Sequence, residues 1–417
     1  MITRPDLPRS HPLYREERGD RPSGLTIAIA GMLALAVAMG IGRFAFTPIL
    51  PMMQEDAGLS VAFGGWLASA NYLGYLFGAV AAMALRVRAV IAIRGGLLVI
   101  GLTTLGMGLT DSFAAWAVLR ALAGIASAWV LITVSAWCLE RLAPLRQPAL
   151  NGMLFSGVGA GIAGAGLLCI ALTHAGAGSA QAWMASGILA LLASAVIAPV
   201  LGTDGTAYSR SDEPAAAGAR RWDGESVRLV LCYGAAGFGY IIPATFLPVM
   251  AKQAIADHAL FAWSWPVFGA AALASTLAVA MRPAYISHRG LWIASHLVMT
   301  LGIVLSVFVP GLAGILLAAL LVGGTFMVTT MAGMQEAREV AGPDAARLMA
   351  AMTAAFALGQ IAGPVVVSRM IGAGGNFAVP LLTAGALLAA SAYALSLRAN
   401  PHANSSNHTS LTTDDTA

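Results

Sequence analysis

The chain has 417 residues, of which 58% are hydrophobic and 10% are charged. A soluble protein of this length needs a charged shell around two or three domains, so the composition excludes that class and indicates an all-α integral membrane protein in a lipid bilayer. The net charge of +4 does not indicate a nucleic-acid partner, because such a small excess is informative only through where the charges fall.

Charged and turn-rich breaks divide the sequence into twelve predicted transmembrane helices. The first six lie near residues 25–50, 61–84, 90–109, 113–138, 150–173 and 180–201. The last six lie near residues 227–250, 262–282, 290–309, 311–334, 346–368 and 376–397.

Three hydrophilic segments frame these helices. Residues 1–24 are rich in arginine and proline and have no small-residue cleavage site, so we interpret them as a tail and not as a signal peptide. Residues 202–226 form the one long linker, and residues 399–417 form a polar tail. We therefore predict a six-helix bundle over residues 25–201 and a second over residues 227–398.

The basic residues predict the orientation in the membrane. All but four of the 23 Lys and Arg residues fall in the tails or in alternate connections, which places both termini in the cytoplasm. Of the four, Lys252 and Arg369 lie at the outer ends of helices. Only Arg43 and Arg120 lie inside predicted spans.

The two halves of the chain share a motif. A shift of 197 residues aligns GIGRFAFTPILPMM, residues 40–53, with GFGYIIPATFLPVM, residues 237–250, and the same shift pairs Trp66 with Trp263. A nearly equal shift pairs GIAG in the fifth helix with QIAG in the eleventh. We therefore expect two six-helix repeats related by an axis along the membrane normal, with a pathway between them.

Two motifs resemble a known family. RALAG, Arg120–Gly124, resembles the helix-four motif of the major facilitator superfamily (MFS), and GIGRFAFTPILPMM followed by GLSVAFGGWLASANYLGYLFGA, residues 58–79, resembles its YbfB/YjiJ-type branch. The resemblance implies the MFS fold and a bacterial inner-membrane secondary transporter working by alternating access, but it implies no substrate. It does not extend to the usual gating salt bridge, because residues 82–96 contain three arginines and no acid.

The two arginines within the membrane predict an anionic substrate. An arginine at the centre of a spanning helix costs about 2.5–3.5 kcal/mol, so Arg43 and Arg120 should face a cavity or a partner. No Asp or Glu falls well inside a predicted span, and a carboxylate-bearing substrate would supply the missing counter-charge. In the alternative, Arg43 reaches outward to water or binds backbone carbonyls freed by Pro48 and Pro51.

Neutral polar groups complete the predicted binding site. Asn71 and Tyr75 share one stripe of helix two with Gly74 and Gly78, and they either line a pathway or sit in a small-residue packing surface. Tyr240 takes the position of Arg43 in the second half, and Gln360 lies near mid-depth in helix eleven, where we expect both to offer hydrogen bonds to the substrate.

The titratable candidates for proton coupling are few. His296 lies inside helix nine and Glu140 at the inner end of helix four, and the substrate's own carboxyl is a third possibility. For His296 the alternative is a satisfied interhelical hydrogen bond.

These observations predict a monomeric secondary active transporter for a small organic anion, with a proton as a candidate co-substrate. No cluster of nucleophile, acid/base or metal ligands is evident, so we predict no enzymatic activity, no catalytic residue, no metal and no cofactor. The alternatives are an MFS efflux pump for neutral or cationic compounds, and a channel or ligand sensor.

Overall fold

The computed structural model describes residues 22–85, 87–201, 223–254, 258–281, 286–371 and 376–397. Over these residues the chain forms twelve long helices and no strand, which confirms the predicted all-α class. Most of the predicted tails and linker lie outside the described residues.

The helices are numbered here in chain order. The first six are α1 Gly24–Asp56, α2 Val61–Ala84, α3 Ala89–Met107, α4 Phe113–Leu142, α5 Pro148–His174 and α6 Ser179–Ile197. The last six are α7 Gly224–Ala254, α8 Ser264–Ala280, α9 His288–Phe308, α10 Gly311–Ala341, α11 Ala345–Met370 and α12 Ala378–Ser396. Short helical turns occur at Ala143–Leu145, His258–Phe261 and Gly342–Asp344.

Ten of the twelve helices are long and apolar enough to cross a bilayer, judged on the described residues; the other two are α2 and the 17-residue α8. Large apolar side chains such as Phe77, Leu192 and Val196 are well exposed on the outside of the bundle. Since lipid solvates such groups and water does not, this surface is the one expected of a multi-pass membrane protein.

Local sequence explains where several helices begin. Ser23, Ser60 and Ser287 stand before α1, α2 and α9, and the hydroxyl of each accepts a hydrogen bond from the backbone N–H three residues later, at 3.1, 3.2 and 3.0 Å. These bonds satisfy donors that the first helical turn leaves unpaired.

The first helix contains a wide turn. Its segment Ala36–Phe44 is π-helical, between α-helical parts Gly24–Leu35 and Phe46–Asp56. Pro48 has no N–H to donate, so it cannot pair with Arg43, the residue five positions earlier that a π-helical bond would use. Helix one also continues to Asp56, beyond the predicted end near residue 50, because Pro51 is accommodated within its last segment.

The helices form two sets with a long contact between them. Helices α1 to α6 pack among themselves, as do α7 to α12, and the two sets meet where α2 packs on α11 and α5 packs on α8. We call the side of the bundle on which α1 begins and α12 ends the proximal side, and the opposite side the distal side.

The two sets close against each other on the distal side. The distal end of α1 packs on the distal end of α7, where Lys252 Nζ lies 2.6 Å from Glu55 Oε1 and donates to the carbonyl of Pro51 at 3.2 Å. Deeper in, the Thr47 hydroxyl donates to the carbonyl of Ala244 at 2.9 Å. These residues are 197 positions apart, the same offset that aligns the two sequence motifs.

Candidate functional site

A cavity of about 880 Å³ lies between the two sets of helices. It runs from Arg43 in the middle of α1 to the proximal ends of α5, α9 and α10, where Pro148, His288 and Arg338 line it. The volume is in the range of small-molecule sites. With the distal side closed by the contacts above, the cavity opens toward the proximal side.

Arg43 is the charged side chain at the deep end of this cavity. Its guanidinium carbon lies 4.3 Å from the ring centroid of Tyr75 and 4.9 Å from that of Tyr72. The residue is only 3% exposed, and its Nε and Nη2 are buried without a hydrogen-bond partner among the described residues. These two atoms carry the parallel N–H bonds along one edge of the guanidinium, the pair that holds a carboxylate in a bidentate contact.

Arg120 and Asn71 bind the backbone of the wide turn from behind. Arg120 donates to the carbonyl of Gly42 at 3.2 Å and to that of Arg43 at 2.9 Å. The Asn71 amide donates to the carbonyl of Gly42 at 3.3 Å and to that of Arg120 at 2.8 Å. Three side-chain N–H bonds thus reach two consecutive carbonyl groups of this turn, those of Gly42 and Arg43.

Two glycines allow this close approach of α2 and α4. A Cβ atom on Gly74 would lie 2.1 Å from the carbonyl oxygen of Ala121, and one on Gly124 would lie 2.1 Å from that of Asn71. Neither distance is compatible with a side chain. The small-residue packing surface suggested for α2 is therefore present, while Tyr75 on the same stripe lines the cavity.

The predicted arginines thus lie in different environments. One alternative for Arg43 was that it binds backbone carbonyls near Pro48 and Pro51. In the structure Arg120 binds carbonyls of this segment, because of the two arginines only Arg120 approaches the wide turn from a neighbouring helix. Arg43, Tyr75, Tyr240 and Gln360 line the cavity. Arg120 and Asn71 are not among its lining residues, and a direct contact of either with substrate stays a prediction.

Tyr240 and Gln360 form the polar group of the opposite wall. The Gln360 amide donates to the Tyr240 hydroxyl, and Gln360 Oε1 is buried without a partner in the described part of the chain. Since an amide offers both a donor and an acceptor, one of its two polar atoms is left for a ligand. Tyr240 occupies the position of Arg43 in the second motif, so equivalent residues of the two motifs line one cavity.

A row of aromatic rings on the second set of helices was not predicted. Neighbouring centroids are 4.8–5.5 Å apart, with interplanar angles of 6–33°. We call this the aromatic row; in order along it, its members are Phe268, Phe326, Tyr240, Phe356 and Tyr233. The spacing of Tyr233 and Tyr240, seven residues apart on one helical face, was the only signal of it in the sequence.

The proton-coupling candidates lie away from the cavity. His296 is fully buried, and its Nε2 accepts a hydrogen bond from Trp292 Nε1 at 2.9 Å. This bond is within α9, not interhelical as suggested, because residues four positions apart share a helical face. The Glu140 side chain is 71% exposed and lies 3.9 Å from Arg141. A role for either in proton coupling stays a prediction.

The charged side chains that line the cavity are all basic in the described part of the chain. No Asp or Glu belongs to the described residues that line it, whereas Arg43 lies at its deep end and Arg338 at its mouth. Most of the remaining lining is apolar, with side chains such as Met39, Leu131 and Met327. Such a cavity favours an anion over a cation.

Comparisons with known proteins agree with this architecture. A family model described as "Uncharacterised MFS-type transporter YbfB" matches residues 35–396. A crystal structure of the nucleoside transporter NupG is similar with a TM-score of 0.70 and 12% sequence identity, covering 89% of this chain and 98% of that chain. At this identity the likeness shows the fold alone. No curated protein matches the sequence.

Proposed function

This chain belongs to the YbfB family of MFS-type transporters, and we propose that it moves a small organic anion across a bacterial inner membrane by alternating access. Membership of this family makes it a multi-pass membrane transporter with a small-molecule substrate, and not an enzyme.

The observation that carries the anion proposal is the unpaired edge of Arg43. A buried donor without a partner costs about 1–3 kcal/mol, and more when the group is charged. A substrate carboxylate that binds Nε and Nη2 relieves this cost. Because both atoms are shielded in the present conformation, binding includes a rotation of the Arg43 side chain toward the cavity.

The transport cycle exchanges the closed distal side for a closed proximal side. In this proposal the moving units are the bundles of residues 25–201 and 227–398, which form the walls of the cavity. The distribution of arginines supports a cytoplasmic proximal side with both termini there, so the conformation described is open to the cytoplasm. We expect the monomer to be the functional unit, with a proton as the candidate co-substrate.

A neutral planar solute is the second candidate. The printed description of NupG as a nucleoside transporter suggests it, and the aromatic row together with the Gln360 amide suits a flat solute with hydrogen-bonding groups. It leaves the Arg43 edge without a partner, which is why the anion ranks first.

Uptake into proteoliposomes tests the proposal. The solutes are labelled carboxylates and nucleosides, measured with and without a pH gradient. We expect saturable uptake of carboxylates that Arg43→Gln abolishes without loss of membrane expression. Arg141→Gln is the matched control, because its guanidinium lies outside the cavity, 4.3 Å from the Trp137 ring centroid.

Three results would overturn the proposal. Carboxylate uptake that survives Arg43→Gln removes the role of the guanidinium. Uptake of nucleosides alone favours the second candidate. Flux that does not saturate indicates a channel.

A further inference from the structure

We propose that the transported anion is an aromatic monocarboxylate, with its carboxylate on Arg43 and its ring against the aromatic row. This inference rests on the proposed function and adds the chemistry of the substrate body. Three observations carry it: the number of cations at the deep end, the apolar lining, and the aromatic rings in the cavity wall.

The deep end of the cavity provides for one negative charge. Arg43 is the only cation there among the described residues that line the cavity. The basic groups at the mouth are engaged with neighbours, since His288 Nε2 lies 3.4 Å from Glu339 Oε1 and Arg338 Nη1 lies 3.5 Å from Gln335 Oε1. A second carboxylate on the substrate would lose its hydration without gaining a cationic partner near Arg43, which is unfavourable.

The lining around Arg43 suits an apolar body. Phe44 and Met39 lie near it on α1, and Phe326 and Met327 of α10 also line the cavity, with the Phe326 ring centroid 6.3 Å from that of Phe44. The hydroxyl groups in the lining, such as those of Tyr75, Tyr233 and Thr330, are few beside the apolar side chains, so a substrate rich in hydroxyl groups would leave some of them without a partner. The Tyr240 and Gln360 pair can satisfy one such group but not several.

The aromatic row forms part of the cavity wall, since four of its five rings, those of Phe326, Tyr240, Phe356 and Tyr233, line the cavity. The Tyr240 ring is nearly parallel to that of Phe326, with an interplanar angle of 6°, and to that of Phe356, with an angle of 18°. Phe326 and Phe356 each have a further aromatic neighbour in the row, so the rings hold one another in place.

Aromatic rings in the wall select for aromatic solutes. Two aromatic rings gain from offset-stacked or edge-to-face contacts beyond the apolar area that they bury. A flat aromatic solute can make such contacts with the lining rings of the row, while a saturated ring of similar size cannot.

Calorimetric titration of the purified protein in detergent tests this inference with three matched probes. Benzoate carries the charge and the ring, cyclohexanecarboxylate keeps the charge without aromaticity, and benzamide keeps the ring without the charge. At about pH 8 both acids are fully ionised. We expect benzoate to bind at least tenfold more tightly than either of the other two.

The outcomes separate this inference from the proposed function. If cyclohexanecarboxylate binds as tightly as benzoate and benzamide does not bind, the anion proposal stands and the aromatic inference is wrong. If benzamide binds as tightly as benzoate, the proposed anion function is wrong. If none of the probes binds, the aromatic monocarboxylate class is wrong, and uptake of other carboxylates decides the proposed function.

A substitution in the row provides a second test. Phe356→Leu removes one lining ring of the row and leaves Arg43 unchanged, so we expect the preference for benzoate over cyclohexanecarboxylate to fall at least threefold. Retained binding of cyclohexanecarboxylate shows that the variant is folded. An unchanged preference would overturn the role assigned to the row.

Discussion

Arg120 donates a hydrogen bond of 2.9 Å to the backbone carbonyl of Arg43, so one buried cation holds the main chain of the other. No acid in the described part of the chain forms a salt bridge with either arginine. The guanidinium of Arg120 is instead stabilised by carbonyl dipoles and by the ring of Phe46, whose centroid lies 5.1 Å away. Arg120 thereby stabilises the wide turn that directs Arg43 toward the cavity.

Replacement of Arg120 should therefore destabilise the protein and weaken anion binding together. Arg120→Met removes both hydrogen bonds to the wide turn, and a bond from a charged donor contributes about 1.5–3 kcal/mol. We expect a lower midpoint of thermal unfolding in detergent and a loss of carboxylate affinity. Arg120→Lys keeps the charge but not the two-pronged geometry of the guanidinium. Its unfolding midpoint and carboxylate affinity should lie between those of the wild type and those of Arg120→Met.

The control for this experiment is Arg141→Gln. Its guanidinium is half-buried near the proximal surface, so its loss should leave the unfolding midpoint nearly unchanged. An Arg120→Met variant as stable as the wild type would contradict the structural role. A variant that is destabilised but binds carboxylates with unchanged affinity would separate stability from the positioning of Arg43.

The contact of α2 with α4 should not tolerate a side chain at position 124. Gly124→Ala places a Cβ 2.1 Å from the Asn71 carbonyl, and overpacking of this kind costs about 1–3 kcal/mol. Gly164→Ala is the matched control, because nothing lies within 4 Å of its Cβ position, and alanine favours a helix over glycine by about 0.5–1 kcal/mol. We expect the unfolding midpoint to fall for the first variant and to stay or rise for the second. Equal midpoints would mean that α2 and α4 separate at little cost.

The distal ion pair should shift the conformational equilibrium only slightly. The side chains of Lys252 and Glu55 are 26% and 52% exposed, and such pairs contribute about 0.2–1 kcal/mol. We expect Lys252→Met to raise the population open on the distal side by no more than about fivefold, since 1.4 kcal/mol corresponds to a factor of ten. Labelling of a Thr47→Cys variant by a membrane-impermeant thiol reagent reports this opening.

Two comparisons make that experiment specific. Lys252→Arg keeps the charge and should label like the parent, and high salt should reduce the difference between Lys252→Met and the parent by screening the pair. A large change, on the order of a hundredfold, would show that the pair is a dominant lock. No change would assign distal closure to the remaining buried contacts between the two sets of helices, such as the 3.0 Å hydrogen bond between the hydroxyl groups of Tyr72 and Thr245.

The sequence was sufficient for the fold and for part of the site. Twelve apolar runs predicted the helices, since the bilayer sets their length, and membrane charge and internal repetition directed attention to Arg43 and Tyr240. Both line the cavity, as do Tyr75 and Gln360. These residues are detectable because a polar group in an apolar span is rare.

The rest depended on tertiary geometry. Arg120 satisfies the same criterion as Arg43, and only the structure shows that it binds carbonyl groups behind the cavity wall. Phe326 and Phe356 are ordinary residues for a membrane helix, so nothing in the sequence distinguishes them from lipid-facing rings. Their place in the aromatic row arises from stacking on Tyr240, which joins three helices distant in the chain.

Tyr240 and Gln360 should behave as one unit in a double-mutant cycle. Tyr240→Phe leaves the buried Gln360 amide without a partner, and Gln360→Leu leaves the buried Tyr240 hydroxyl without one, so each single variant should lose about 1–3 kcal/mol. The double variant replaces both polar groups with apolar ones and should lose less than the sum of the two. Thermal unfolding midpoints in detergent measure the three variants against the wild type. Additive losses would show that the two side chains are not coupled, and the wall opposite Arg43 would then present two independent polar groups to the substrate.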